Sequence, residues 1–378
     1  MIITPNLIIG AGPAGMGIAG RLRKMGIDFE MVEQSQNVGN AWHHHYDRLH
    51  LHTVKQLSNL PHLPFPEDYP LYVPREKLVA YFDQYAQHFK LKPHFGQTVD
   101  TVKKVGKEWT TTTKEGKKIK SKNVIVATGV NRVPNIPSWP GQEQFQGTII
   151  HAKAYKNATP FKDKKVLVVG MGNTGAELAL DLSEQDCDTY ISVRGPVSIV
   201  PRDLNGRPVQ LTSIQLAKIP FGIGDWLGNF IRGIYLGDLK KYGLNAPKLS
   251  PVQQLKKTGK TPVVDIGTVH QIKAGKIKVM PEMESFDASG VIFKNGERKA
   301  LDAVILATGY KAKVNDFIAD TTGLLNQDKL PKQAIFDGKN KGLYFIGFDN
   351  YKLGGILGII RTESELIANH ILEEGMRK

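Results

Sequence analysis

The 378-residue sequence contains one cysteine, Cys187. That excludes intramolecular disulfides, a cysteine-based zinc site and any two-cysteine redox relay. A reducing compartment is therefore expected, and the chain reads as cytoplasmic. Long basic blocks are also missing. The 50 Lys and Arg exceed the 36 Asp and Glu, for a net charge of +14. The lysines nevertheless come in short groups such as Lys117-Lys118, Lys164-Lys165 and Lys256-Lys257. With no aromatic-spaced basic stripe, no nucleic-acid partner is expected, and the excess suits solvated surface and anionic small ligands. Residues 1–20 carry no charged side chain, yet Pro5, Gly10, Gly12, Pro13, Gly15, Gly17 and Gly20 break them up. A signal peptide would need a basic start and a spanning helix an unbroken apolar run. The stretch reads instead as a short strand entering a glycine-rich turn, with nothing left over to be cleaved.

What is present is a repeat. Strand Asn6–Ile9 leads into Gly10-Ala11-Gly12-Pro13-Ala14-Gly15, a helix with Ile18, Leu22 and Met25 on one side, and a strand Phe29–Glu33. The pattern restarts 160 residues later with Val166–Val169, Gly170-Met171-Gly172-Asn173-Thr174-Gly175, a helix carrying Leu178 and Leu182, and Thr189–Arg194. Short β-type segments follow each copy. Val99–Val105, Trp109–Thr113 and Ile119–Ala127 close on Ala127-Thr128-Gly129; Lys276–Met280, Val291–Phe293 and Ala303–Ala307 close on Ala307-Thr308-Gly309. Glu115-Gly116 and Asn295-Gly296 suit hairpin turns. The expected fold is α/β: two Rossmann-like dinucleotide-binding domains, the second inserted into the first, each with a β-meander. Residues 1–155 and 311–378 are assigned to the first domain, and 156–310 to the second. Within the second, 196–260 is a helical insert whose apolar pairs Trp226-Leu227, Phe230-Ile231 and Ile234-Tyr235 recur every four residues. That period predicts a core helix or a substrate-side lid, and no membrane contact is expected.

A G-x-G-x-x-G turn between strand and helix lets a pyrophosphate approach bare backbone at a helix N-terminus. The end of the next strand separates the two copies. Glu33, 23 residues after Gly10, suits ribose hydroxyls and excludes a 2′-phosphate. The second copy ends Val193-Arg194, with an arginine suited to that phosphate. FAD is therefore assigned to the first site and NADPH to the second. Trp42-His43-His44-His45 does not make a metal site, because consecutive side chains diverge along a regular element. No metal is expected.

Three further stretches are specific. Phe145, Gly147, His151 and Tyr155 fit F-x-G-x-x-x-H-x-x-x-(Y/F); Tyr46 to His52 runs on to Pro64-Phe65-Pro66; and Gly237-Asp238 leads through Pro247-Lys248-Leu249 to Thr261–Thr268. On these residues the chain resembles the class B flavin-containing monooxygenases and, over nearly its whole length, their YUCCA branch. The resemblance implies FAD contacts at Gly10, Gly12, Pro13, Ala14, Gly15, Glu33, Gln34, Ala41, Trp42, His52, Val99, Thr128 and Leu357. It implies NADPH contacts at Gly170, Gly172, Asn173, Thr174, Gly175 and Arg194, with His151 and Tyr155 organising the hinge or the nucleotide. His52 stands where many relatives place an asparagine near the reactive flavin face, and is the candidate catalytic residue. The loop Asp349–Gly354 is about three residues longer than in the plant proteins.

The implied reaction uses NADPH, O2 and a C4a-(hydro)peroxyflavin. It would oxidatively decarboxylate an aryl α-keto acid such as indole-3-pyruvate, or oxygenate sulfur or nitrogen. An uncoupled peroxide-forming oxidase is a third reading; a disulfide reductase needs the missing second cysteine. The partners expected are a small-molecule substrate and O2, and a homodimer is compatible with the sequence.

Overall fold

In the computed structural model, residues 1–216, 218–219, 222–349, 351 and 354–376 are described. Of the loop Asp349–Gly354, residues 350, 352 and 353 lie outside them. The chain forms two compact units. The first comprises residues 1–44, 53–133 and 310–378, the second residues 45–52 and 134–309.

In the first unit, strand Ile2–Ile9 is flanked on both sides by parallel partners, Glu30–Val32 and Lys118–Val126. A strand covered on both faces reads as a continuous apolar run, and Leu7, Ile8 and Ile9 are buried accordingly. Strand Lys118–Val126 is shared. Its first half carries the antiparallel meander through Glu108–Thr113 and Val99–Val105, and its second half pairs in parallel with Leu343–Phe345. Helix Pro13–Lys24 starts on proline, whose missing N–H costs nothing in the first turn, and ends on Arg21, Arg23 and Lys24, which favour its negative pole. Its glycines serve packing as well as the turn. A Cβ at Gly17 would meet Ile360, and one at Gly20 would lie 2.1 Å from the Tyr85 hydroxyl.

The second unit holds a fully parallel five-stranded sheet in the order Ile277–Met280, Asp188–Ser192, Lys165–Val169, Ala303–Leu306, Thr148–His151. Its meander is a separate antiparallel sheet of Met283–Asp287, Gly290–Phe293 and Arg298–Ala300. The sequence reading had put Lys276–Met280 and Ala303–Ala307 in that meander. Both are core strands, because a short apolar run does not reveal its neighbours. The structure also draws the line between units at Pro134 rather than at 156, since Thr148–His151 bonds to Ala303–Leu306. Residues 45–52 count with the second unit, where Tyr46 is buried among Ala152, Tyr155, Val168 and Leu178.

The insert contains helices Val209–Leu216, Ile223–Leu236 and Pro251–Thr258. The expected core helix is corrected: Trp226, Phe230 and Ile234 on Ile223–Leu236 are 67%, 56% and 70% exposed. Its other face is the one that packs, through Gly224 and Leu236.

Candidate functional site

Both glycine turns have the same construction. Gly10 and Gly170 hold φ of +104° and +103°, a region that disfavours any side chain. A Cβ on either would lie 2.8 Å from the carbonyl oxygen of Ala127 or Ala307. A Cβ on Gly15 or Gly175 would come within 1.9 Å of the Gly10 or Gly170 carbonyl oxygen, so the helix can approach the strand only without one. The middle glycines differ in kind. Among the described residues, Gly12 and Gly172 have no protein atom within 4 Å of such a Cβ. Open space over a bare backbone, at a helix N-terminus without a side-chain cap, is what a pyrophosphate requires. Each turn therefore fits a dinucleotide.

Beyond the turns the copies diverge. Gly10 N–H donates to Val32 O at 2.8 Å and Gly170 N–H to Ser192 O at 3.0 Å, which makes Val32 and Ser192 equivalent. The next residue is Glu33 in one copy and Val193 in the other, so Arg194 corresponds to Gln34, one place further on. Glu33 accepts from Ala11 N–H at 2.7 Å and from the Ser35 N–H and hydroxyl at 2.9 and 2.8 Å. This fixes a carboxylate beside the first turn. Arg194 and Gln34 are exposed. The threonines of the two Ala-Thr-Gly ends also differ. Thr308 Oγ1 donates to Asn135 O at 2.5 Å, whereas the buried Thr128 Oγ1 has no partner among the described residues. An orphaned hydroxyl alongside Gly10 is a group that a bound ligand would satisfy.

The remaining first-unit residues gather at the same turn. Gly39 N–H donates to Ala11 O at 2.9 Å, docking the short helix Asn40–His43 with Ala41 and Trp42, whose ring meets Phe82 edge-on at 6.2 Å. Ala14 lies against Gly347, whose N–H donates to the buried Glu363. Glu363 belongs to helix Gly355–Met376, which carries the buried Leu357 in its first turn. Val99 opens the meander strand that follows Gln97, and Gln97 N–H donates to Glu33 O.

In the second unit, three predicted residues have structural partners. Asn173 accepts from Val264 N–H at 2.7 Å and donates to Pro262 O, holding the 261–268 motif against the turn. His151 accepts from Lys153 N–H through Nδ1 and so donates from Nε2 to Gly309 O at 3.1 Å. Burial lowers its pKa, which favours that neutral tautomer. Tyr155 is corrected: it is 1% exposed, stacks on Phe161, and donates to Asp181 at 2.6 Å. No surface is left to touch a nucleotide. Cys187 is buried, donates to Phe161 O and has its thiol pushed up to about 11, chiefly by desolvation, so it offers no nucleophile at neutral pH.

His52 has a partner that the sequence did not disclose. Its Nε2 lies 2.6 Å from Oε1 of Glu177, a carboxylate 2% exposed on helix Asn173–Ser183. The ring and carboxylate are not aligned for a directed hydrogen bond, and among the described residues both Glu177 oxygens are otherwise without one. The contact is a close imidazole–carboxylate pair. Asp181, one turn on, receives Tyr155 and Arg48, which ties residues 46–52 to this helix twice. The apolar positions of the helix were legible; that its two acids face inward was not. Among the described residues no three His, Cys, Asp or Glu side chains gather as a metal would need.

The model of flavin-binding monooxygenase-like proteins matches residues 7–362. The chain belongs to that family. This flavin monooxygenase is 36% identical over 360 residues to the indole-3-pyruvate monooxygenase YUCCA1 of Oryza sativa subsp. japonica, covering 93% of this chain and 87% of that protein. It is 35% identical over 371 residues to YUCCA6 of Arabidopsis thaliana, at 94% and 88% coverage. Among solved structures, the flavin-containing monooxygenase of Stenotrophomonas maltophilia aligns over 99% of both chains, with a TM-score of 0.75 at 20% identity. A steroid monooxygenase bound to NADP aligns with a TM-score of 0.76 at 17% identity, over 98% of this chain and 84% of that one. At such identities these two speak for the fold.

Two tests follow from this geometry. Gly12→Ala should fold with stability within about 0.5 kcal/mol of the parent yet lose tenfold or more in FAD affinity, read as flavin absorbance per protein. Gly15→Ala should lose stability itself in a denaturant titration, by about 1–3 kcal/mol or more. For the buried pair, His52→Leu should destabilise the chain by about 3–5 kcal/mol by leaving Glu177 uncompensated, and adding Glu177→Leu should restore most of the loss.

Proposed function

We propose that this flavin monooxygenase uses NADPH and O2 to decarboxylate an aryl α-keto acid of the indole-3-pyruvate type. The observation that carries this reading is the likeness to indole-3-pyruvate monooxygenases along almost the whole chain. When bound, reduced FAD supplies the activated oxygen, and NADPH supplies the electrons.

The protein's own residues then position and protect. Gly10, Gly12 and Gly15 give the FAD pyrophosphate its turn, Glu33 takes ribose hydroxyls, and Thr128 Oγ1 gains the partner it lacks. Gly170, Gly172 and Gly175 repeat the turn for NADPH, with Thr174 in the first helical turn and Arg194 on the 2′-phosphate. His52 serves as a hydrogen-bond donor to a reacting oxygen. With Nε2 engaged by Glu177, Nδ1 is the ring nitrogen left for that contact, and Glu177 is the positioning residue that holds the ring. No side-chain nucleophile is needed. We place the enzyme in the cytoplasm, on its single buried cysteine, and a dimer is not required for this chemistry.

Arg194→Ala should lower kcat/KM for NADPH by about 10- to 100-fold, the worth of a charge-assisted phosphate contact, and leave NADH nearly unchanged. An unaltered NADPH/NADH ratio would remove the arginine from the site. Substrate class is tested by supplying indole-3-pyruvate and a thioether separately with NADPH and oxygen. The keto acid should give the shortened acid and CO2 in step with NADPH consumed. Faster sulfoxide formation would favour the S-oxygenating reading, and peroxide in place of product would favour the oxidase.

A further inference from the structure

The insert helix Ile223–Leu236 presents an apolar stripe to solvent. Ile223, Trp226, Phe230 and Ile234 follow one another at spacings of three, four and four residues, so they share one face. They are 54–70% exposed, and Tyr235 beside them is 52% exposed. Trp226 and Phe230 stack on each other with centroids 5.8 Å apart, forming a ridge. The opposite face is tethered. Asp225 accepts from the Ser250 hydroxyl at 2.6 Å, Arg232 donates to Ile199 O, and Leu236 is buried. The helix is thus held with its most hydrophobic residues outward, a costly arrangement for a surface that met only water.

Charge identifies what covers it. From 209 to 260 there are eight Lys and Arg against Asp225 and Asp238. The seven lysines among them are all exposed, whereas of the two acids only Asp238 is. Lys240 and Lys241 follow the helix directly. A second copy would bring the same positive lobe against this one, a repulsive pairing. A membrane surface carrying anionic lipid matches both features: aromatic and aliphatic side chains enter the headgroup–acyl boundary while lysines meet the headgroups. The helix spans about 21 Å, suited to lying in the interface plane. Among the described residues no helix is long and apolar enough to cross a membrane.

We infer that the helix Ile223–Leu236 is a peripheral docking element for anionic lipid surfaces. The sequence alone predicts no such contact, because a four-residue apolar period does not tell an exposed face from a buried one. The test is co-sedimentation of the FAD-loaded full chain with vesicles of phosphatidylcholine alone or with about one-third phosphatidylglycerol. Binding should be at least about tenfold stronger to the anionic vesicles and fall as salt is raised to ~0.5 M. W226S and F230S should each weaken it about tenfold while NADPH oxidation without vesicles stays unchanged. K240E/K241E should weaken binding to the anionic vesicles with the aromatic ridge intact. Equal or absent binding to both vesicle types would overturn the inference. So would a dimer seen by analytical ultracentrifugation without lipid and abolished by W226S, which would assign the face to a second copy.

Discussion

At Gly15 and Gly175 a single β-carbon would stand 1.9 Å from a carbonyl oxygen of the preceding strand's turn. Its absence lets each helix start against its strand with free N–H groups directed at the space over Gly12 and Gly172. Everything functional in the chain hangs on that approach. A wider strand–helix separation would blunt the anion site and displace Ala127 and Ala307, which seal the turns from behind. The parallel strands of each unit serve the same end, since they finish together at the edge where the turns lie.

Two copies of one device have become two different sites through a handful of side chains. Glu33 is locked by three hydrogen bonds in the first copy, and valine replaces it in the second. Thr128 keeps an unmet hydroxyl where Thr308 has spent its own. A carboxylate repels a phosphate group and an arginine attracts one, and the proposed assignment of NADPH to the second turn rests on that contrast. Specificity is thereby separated from the fold that supports it.

The helix Asn173–Ser183 carries a second duty. Its first turn continues the second glycine turn, and its inward acids Glu177 and Asp181 gather His52, Tyr155 and Arg48. A buried carboxylate needs a partner, and Glu177 and Asp181 each take one from residues 46–52. Two neighbouring readings failed where partners matter. Tyr155 fits a family pattern but is a core residue, and the Trp226 helix has the period of a core element but faces outward. Pattern alone assigns neither a neighbour nor a side.

Glycine spacing, the strand–turn–helix order and the contrast between Glu33 and Val193-Arg194 are local properties, fixed by backbone sterics within a few residues. They could therefore be read along the chain, and with them the fold class, both hairpin turns and both glycine turns. The pairing of His52 with Glu177, 125 residues away, is not local. Nor are the membership of 45–52 and 134–155 in the second unit, the true strands of its meander, or the exposure of the Trp226 ridge. Those were decided only in the tertiary structure, because which carboxylate meets which imidazole, and which face meets water, depends on packing between segments that the sequence does not place side by side.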